Sequence, residues 1–184
     1  MKKLVVIGSS EAGKTSLVER LVYNSFTHSE STIGAAFTTL ELNPNLKIGI
    51  WDTAGQERYN ALVPLYFRDA SLALIIVDIT SRYSLDGAKK WIEYLRNHHT
   101  DLSYVIVATK IDLIEKRTVY QDDLDSLPVP IIPPISVSAL SCINIPKLKV
   151  ELETIMSSDE VATPPTQSPK SSLNLMATER VNCC

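Results

Sequence analysis

The residues whose types and spacing most plainly specify chemistry are Gly8-Ser9-Ser10-Glu11-Ala12-Gly13-Lys14-Thr15. They fit GxxxxGK[ST], a loop whose backbone N–H groups curl around a phosphate. In it a lysine bridges β- and γ-oxygens, and a hydroxyl is a ligand for Mg²⁺. Leu4-Val5-Val6-Ile7 ahead of it has the look of a buried strand, and Leu17, Val18, Leu21 and Val22 behind it recur at helical spacing. A strand feeding such a loop into a helix aims the positive end of the helix dipole at the phosphate. The motif alone serves ATPases and nucleotide kinases as well as other nucleotide-binding proteins.

Two carboxylates follow strand-like runs. Asp52 ends Lys47 to Trp51 and opens Asp52-Thr53-Ala54-Gly55-Gln56; Asp112 ends Thr109-Lys110-Ile111-Asp112. An aspartate at a strand end more often caps a helix than serves a metal, and the phosphate loop upstream reverses that order. Asp112 beside a lysine is, on these residues alone, more often half of a solvated loop pair.

To bring these segments together the chain must fold as α/β. Strands are expected near 2–7, 36–42, 47–52, 72–77, 103–108 and 131–136, with helices between them on both faces of a six-stranded sheet. One helix starts at Ser84 with Leu85, Ala88, Ile92 and Leu95 on one face; the last begins near Asn144 and buries Ile145, Leu148, Leu152 and Ile155. Only Asn43-Pro44-Asn45-Leu46 separates the second and third strands, too short for a crossover, so that pair is an antiparallel hairpin and the sheet is mixed. Leu127-Pro128-Val129-Pro130 and Pro133-Pro134 cut short any helix that begins near Val119.

The 184 residues, 45% hydrophobic and 21% charged, suit one domain. A formal net charge of −3 gives no overall positive field, so neither nucleic acid nor an acidic membrane is bound through bulk charge. No apolar run approaches the roughly 20 residues of a spanning helix, and Met1-Lys2-Lys3 leads into too short an apolar stretch for a signal peptide, which points to the cytosol. Three cysteines provide no disulfide framework; Cys142 reads as a small packed side chain, and His28, His98 and His99 as solvated surface. From Ser157 to Asn182 the composition turns to Ser, Thr and Pro without apolar period, so the expected division is a domain over 1–156 and a disordered tail over 157–184.

With both motifs on the page, the chain resembles the Ras-like small GTPases, and hence the P-loop NTPase fold of that group. Asp52-Thr53-Ala54-Gly55-Gln56 carries the resemblance most specifically. It implies that Asp52 reaches Mg²⁺ through water, that the Gly55 N–H meets the γ-phosphate, and that Gln56 orients the attacking water. Ser31-Thr32-Ile33-Gly34-Ala35-Ala36-Phe37 looks like the first switch, with Thr32 as the second direct Mg²⁺ ligand beside Thr15. Thr109-Lys110-Ile111-Asp112 and Ser138-Ala139-Leu140 resemble the two base-reading motifs of the family, with Thr in place of Asn and Leu in place of Lys. Asp112 would then accept from guanine N1–H and the 2-amino group; adenine offers neither, and a site so built rejects it by roughly 10⁴–10⁵-fold. The implied GTP contacts are Ser10, Glu11, Ala12, Gly13, Lys14, Thr15, Ser16, Phe26, Thr32, Gly55, Thr109, Lys110, Asp112, Ser138, Ala139 and Leu140, with Phe26 stacking on the base or simply packing at a helix end.

Within that family the likeness narrows to the Rab proteins through Lys47-Ile48-Gly49-Ile50-Trp51, Gln56-Glu57-Arg58-Tyr59 and Tyr66-Phe67-Arg68. Glu30 to Phe37 is most similar to the early-endosome Rab subgroup, from which Asp69 departs. The resemblance implies a slow GTPase switch on membranes in vesicle and endosomal trafficking, served by an exchange factor, a GTPase-activating protein and a GDP-dissociation inhibitor or escort protein. Effectors would dock on Phe37, Trp51 and Tyr66. Cys183-Cys184 is similar to the double geranylgeranylation signal of Rabs, which would hold the protein on the cytosolic face of intracellular membranes; metal binding or an incidental pair are the alternatives. Two other functions remain open: a GTP-holding scaffold that barely cycles, against which Gln56 argues, and an ATP-using enzyme, for whose lid the Lys14 to Asp52 spacing leaves no room.

Overall fold

The computed structural model describes residues 1–27, 32–55, 63–128 and 131–158. Gln56, the 157–184 tail beyond Ser158, Cys183 and Cys184 lie outside these residues, as do His28, Glu30, Ser31 and Glu57 to Tyr59.

Six strands form one sheet: β1 (Lys3–Gly8), β2 (Ala35–Asn43), β3 (Leu46–Thr53), β4 (Leu72–Asp78), β5 (Tyr104–Thr109) and β6 (Ile135–Ser136), in the order β2-β3-β1-β4-β5-β6. Only β2 and β3 pair antiparallel; β1 to β6 otherwise run parallel. Among the described residues five α-helices cover it: α1 (Lys14–Tyr23), α2 (Val63–Phe67), α3 (Arg82–His98), α4 (Gln121–Asp125) and α5 (Ile145–Ser157).

Alternation along the strands sorts the core into two layers. Leu4 and Val6, Leu74 and Ile76, Val105 and Val107 face α1 and α5 through Leu17, Leu21, Leu148 and Leu152. Val5 and Ile7, Ile75 and Val77, Ile106 and Ala108 face α2, α3 and α4 through Phe67, Leu85, Ile92 and Leu124. Burial on both faces is why β1, β4 and β5 read as continuous apolar runs. α4 is stunted to five residues, as the prolines require.

Four expectations are corrected. β6 is two residues, not six, because Pro133 and Pro134 have no N–H for a ladder and pairing starts only at Ile135, opposite Val107. α3 starts two residues before Ser84, because the Ser81 side chain caps it by accepting from the Ser84 N–H, while the buried Ser84 hydroxyl accepts from the Asp78 N–H. Cys142 is exposed, on a turn with φ 62°, rather than packed. His99 is half-buried, its ring 5.0 Å from that of Phe67 and 5.8 Å from that of Tyr94, and burial together with the neighbouring His98 lowers its pKa.

Candidate functional site

The parallel strands deliver their C-terminal ends to one edge of the sheet, where an open α/β sheet places its ligand crevice. There the 8–15 loop leaves β1, Asp52 and Thr53 end β3, Asp78 ends β4 and Thr109 ends β5. Between them opens a cavity of about 630 Å³. Ser10, Glu11, Gly13, Lys14, Thr15, Ser16, Phe26, Thr32, Gly55, Thr109, Lys110, Asp112, Ala139 and Leu140 line it, and Leu113 and Thr53, not anticipated from sequence, join them.

Gly13, at φ 87°, turns the loop into α1 in a conformation that costs a residue with Cβ. Lys14 then extends along the floor, only 5% exposed, and its Nζ donates to Gly8 O (3.1 Å) and Ser9 O (2.8 Å). Burial lowers its pKa to about 8, with Asp52 opposing the shift. Such a cation, desolvated and held by two carbonyls, is set to meet an anion in the cavity.

Beside it Thr15, Thr32 and Asp52 converge. Thr15 Oγ1 donates to Asp52 Oδ2 at 2.6 Å; that uses its proton, so Thr32 Oγ1, 2.9 Å away, donates to Thr15. Asp52 is 2% exposed, its pKa raised chiefly by burial, and its Oδ1 is buried without a hydrogen-bond partner. An orphaned carboxylate oxygen beside two hydroxyls is a hard-oxygen set suited to Mg²⁺, which takes one or two protein ligands and completes its shell with phosphate and water. Asp52 itself does not line the cavity; it stands behind Thr15. Gly55 approaches the phosphate loop so closely that a Cβ there would lie 2.5 Å from Ser10 N and 2.6 Å from Ser9 C, and nearer still to Lys14 Nζ.

At the other end, Ser138 Oγ donates to Asp112 Oδ1 and in turn accepts from the Ser141 N–H, so the fully buried Ser138 positions the carboxylate from behind. Thr109 Oγ1 donates to Ala12 O at 2.7 Å, with Val77 O at 3.2 Å. That bond ties β5 to the phosphate loop, so Thr at this position keeps a structural link across the site. Ala12, 1% exposed, accepts this bond at its carbonyl and donates its N–H to Ser9 O; it is not among the residues that border the cavity. Lys110, at φ 61°, donates from Nζ to Glu11 O and to Asp78 Oδ2, both at 2.7 Å. Sequence reasoning missed Asp78, although it is an acid closing an apolar strand, the same signal that singled out Asp52. It also missed Arg20, whose Nε donates to Ala139 O, 119 residues further on, a pairing with no local signature.

Phe37 and Trp51 are opposite each other across β2 and β3, their ring centroids 5.4 Å apart. Phe37 is 52% exposed, whereas Trp51 and Tyr66 are half-buried against the α2–α3 core layer. Lys3 Nζ sits 4.6 Å over the Trp51 ring and donates to Arg68 O beyond the end of α2. Among the described residues no helix is long and apolar enough to cross a membrane.

Residues 3–153 match the family model described as the Ras family. The chain is 45% identical over 122 residues to GTP-binding protein ypt5 of Schizosaccharomyces pombe, covering 63% of this chain and 58% of that one. It is 46% identical over 126 residues to Ras-related protein Rab5 of Nicotiana tabacum (66% and 63%), and 41% identical over 138 residues to GTP-binding protein YPT52 of Saccharomyces cerevisiae (67% and 59%). The chain thus spans about three-fifths of the length of these relatives. With the family match running over nearly the whole folded region and a phosphate loop, an oxygen-rich pocket and a paired Asp112 around one cavity, the chain belongs to the Ras family.

Proposed function

We propose that this protein is a Rab-type GTP/GDP switch that binds guanine nucleotide with Mg²⁺, hydrolyses GTP slowly, and recruits effectors on endosomal membranes. The observation that carries the reading is the contact of Thr15 with both Asp52 and Thr32, which joins the phosphate loop, the end of β3 and the first switch at one point of the cavity.

Lys14 and the loop N–H groups would hold the β- and γ-phosphates, and Thr15 and Thr32, with Asp52 through water, would hold Mg²⁺. Mg²⁺ supplies neutralisation of phosphate charge. Asp112 accepts from the guanine N1–H and 2-amino group while Phe26 faces the base. In hydrolysis a water oxygen, oriented by Gln56, attacks the γ-phosphorus; the bond to the β,γ-bridging oxygen breaks with its electron pair left on GDP, one water proton passes to an oxygen of the released phosphate, and GDP and phosphate leave. Thr32 and Gly55 then lose their partner, and the segments around them relax. Phe37, on β2 three residues beyond Gly34, would report that change to effectors together with Trp51 and Tyr66. Exchange factor, GTPase-activating protein and GDP-dissociation inhibitor or escort protein belong to the same reading, as does lipidation of Cys183 and Cys184.

The test measures affinity for GTP, GDP and ATP with and without Mg²⁺, then single-turnover hydrolysis of bound GTP. Mg²⁺-dependent guanine preference with slow turnover is expected. Equal affinity for ATP refutes the reading of the base site, and tight GTP without turnover, even with candidate activating proteins, assigns the scaffold role instead. Mass spectrometry of the protein from eukaryotic cells reads the lipidation directly.

A further inference from the structure

Arg20, in the last turn of α1, does not border the cavity, yet it grips the strip that does. Its Nε donates to Ala139 O at 2.7 Å, its Nη2 reaches Leu140 O at 3.4 Å, and its Nη1 donates to Asn24 O at 2.6 Å, where α1 ends in a left-handed residue. A planar guanidinium engaged on three carbonyls fixes them relative to one another, as a flexible lysine ammonium would not.

The consequence lies in the peptide between Ala139 and Leu140. A trans peptide is planar, with C=O and N–H pointing in opposite directions, and no cis peptide occurs among the described residues. With the Ala139 carbonyl drawn towards Arg20, the Leu140 N–H is turned to the opposite side of the strip. There Ala139, Leu140 and Asp112 face the cavity. A backbone donor is thereby set beside a carboxylate acceptor, the Asp112 end of which is itself held through Ser138. This pair complements a ligand edge that carries an oxo group next to N–H donors, and opposes one with an amino group in the oxo position.

We propose that Arg20 is a positioning residue for base selection: by holding the Ala139 carbonyl it presents the Leu140 N–H to the 6-oxo group of a purine. The inference rests on the guanine-nucleotide reading of the cavity, in which the Ser138-Ala139-Leu140 motif already turns backbone N–H to the 6-oxo group, and adds to it the residue that holds that motif in place.

The test compares Arg20→Met and Arg20→Gln with the unaltered full chain, all with Mg²⁺, using GDP, 6-thio-GDP, IDP and ADP as competitors. Sulfur is a poor acceptor, so 6-thio-GDP probes the 6-position; IDP lacks the 2-amino group and probes Asp112. The unaltered protein should prefer GDP over 6-thio-GDP by about tenfold, one hydrogen bond's worth. In Arg20→Met that ratio should fall to about one while the GDP-to-IDP ratio stays within about twofold. Arg20→Gln, which retains one donor, should recover part of the discrimination, and it carries the test if Arg20→Met does not fold. An unchanged GDP to 6-thio-GDP ratio in the variants, or an equal fall in both ratios, overturns the role of Arg20. Failure of the unaltered protein to prefer GDP over ADP overturns the reading of the cavity instead.

Discussion

Lys14 links nucleotide binding to pH in a way that can be worked through. In the ligand-free site burial lowers its pKa from 10.5 to about 8, against the opposing charge of Asp52. Phosphate oxygens beside the ammonium favour its charged form and raise the pKa again. Well below pH 8 the lysine already carries its proton and binding takes up none. Above pH 8 each binding event must recruit a proton, so affinity falls by about twofold at pH 8 and about tenfold at pH 9, close to 1.4 kcal/mol for each pH unit. The ligand-free fold responds in the opposite sense. Its Lys14 pKa is below the unfolded value, so between about 8 and 10.5 the unfolded chain binds more protons and stability rises with pH; bound GDP removes that rise. Calorimetric titration of GDP with Mg²⁺ from pH 6.5 to 9, in buffers of different ionisation enthalpy, measures both affinity and proton uptake. Lys14→Gln is the control, since ionisation of the nucleotide itself affects both proteins equally. Parallel affinity curves for the two, or no proton uptake by the unaltered protein at pH 9, would refute the reasoning.

Other perturbations have equally definite outcomes. Asp112→Asn should weaken GDP by about 10²-fold or more, the loss of two hydrogen bonds to a charged acceptor at about 1.5–3 kcal/mol each, and should favour xanthosine diphosphate, whose 2-oxo group needs a donor; unchanged preference in a competition assay refutes the assignment. In Gly55→Ala the added methyl meets Ser10 N and Lys14, so the 53–55 segment must retreat. GTP should then lose its advantage over GDP by about 10-fold or more, while GDP affinity measured by displacement changes little. Leu74→Ala, fully buried in the centre of the sheet, should cost about 2–5 kcal/mol in urea unfolding of the GDP-bound protein.

Much of the fold was legible because its signals are local. The apolar runs of β1, β4 and β5, the short 43–46 connection and the phosphate loop each occupy a few adjacent residues, and the structure places them as their patterns require. The errors arose where a neighbouring element intervened. Prolines delayed the start of β6 until four residues into its expected span, Ser81 moved the start of α3, and α2 and α3 drew His99 into an aromatic cluster with Phe67 and Tyr94. In the site, residue types announced Lys14, Thr15, Asp52 and Asp112, and family likeness named Thr109, Lys110 and Ser138, whereas the bonds by which these residues support one another had no local signal. Ser138 behind Asp112, Asp78 beneath Lys110 and the Thr109 bond to Ala12 join segments that are far apart in the chain.

Sequence by itself determined the layered α/β architecture, the phosphate loop and the carboxylates at strand ends, because side-chain periodicity and contiguous loop chemistry are properties of neighbouring residues. Only the tertiary structure decided which carbonyls receive Arg20, that Thr15 shares its hydroxyl between Asp52 and Thr32, and that Phe37 is exposed while Trp51 and Tyr66 are half-buried. Those outcomes depend on distances between strand ends, which the closing of the sheet sets and no local pattern encodes.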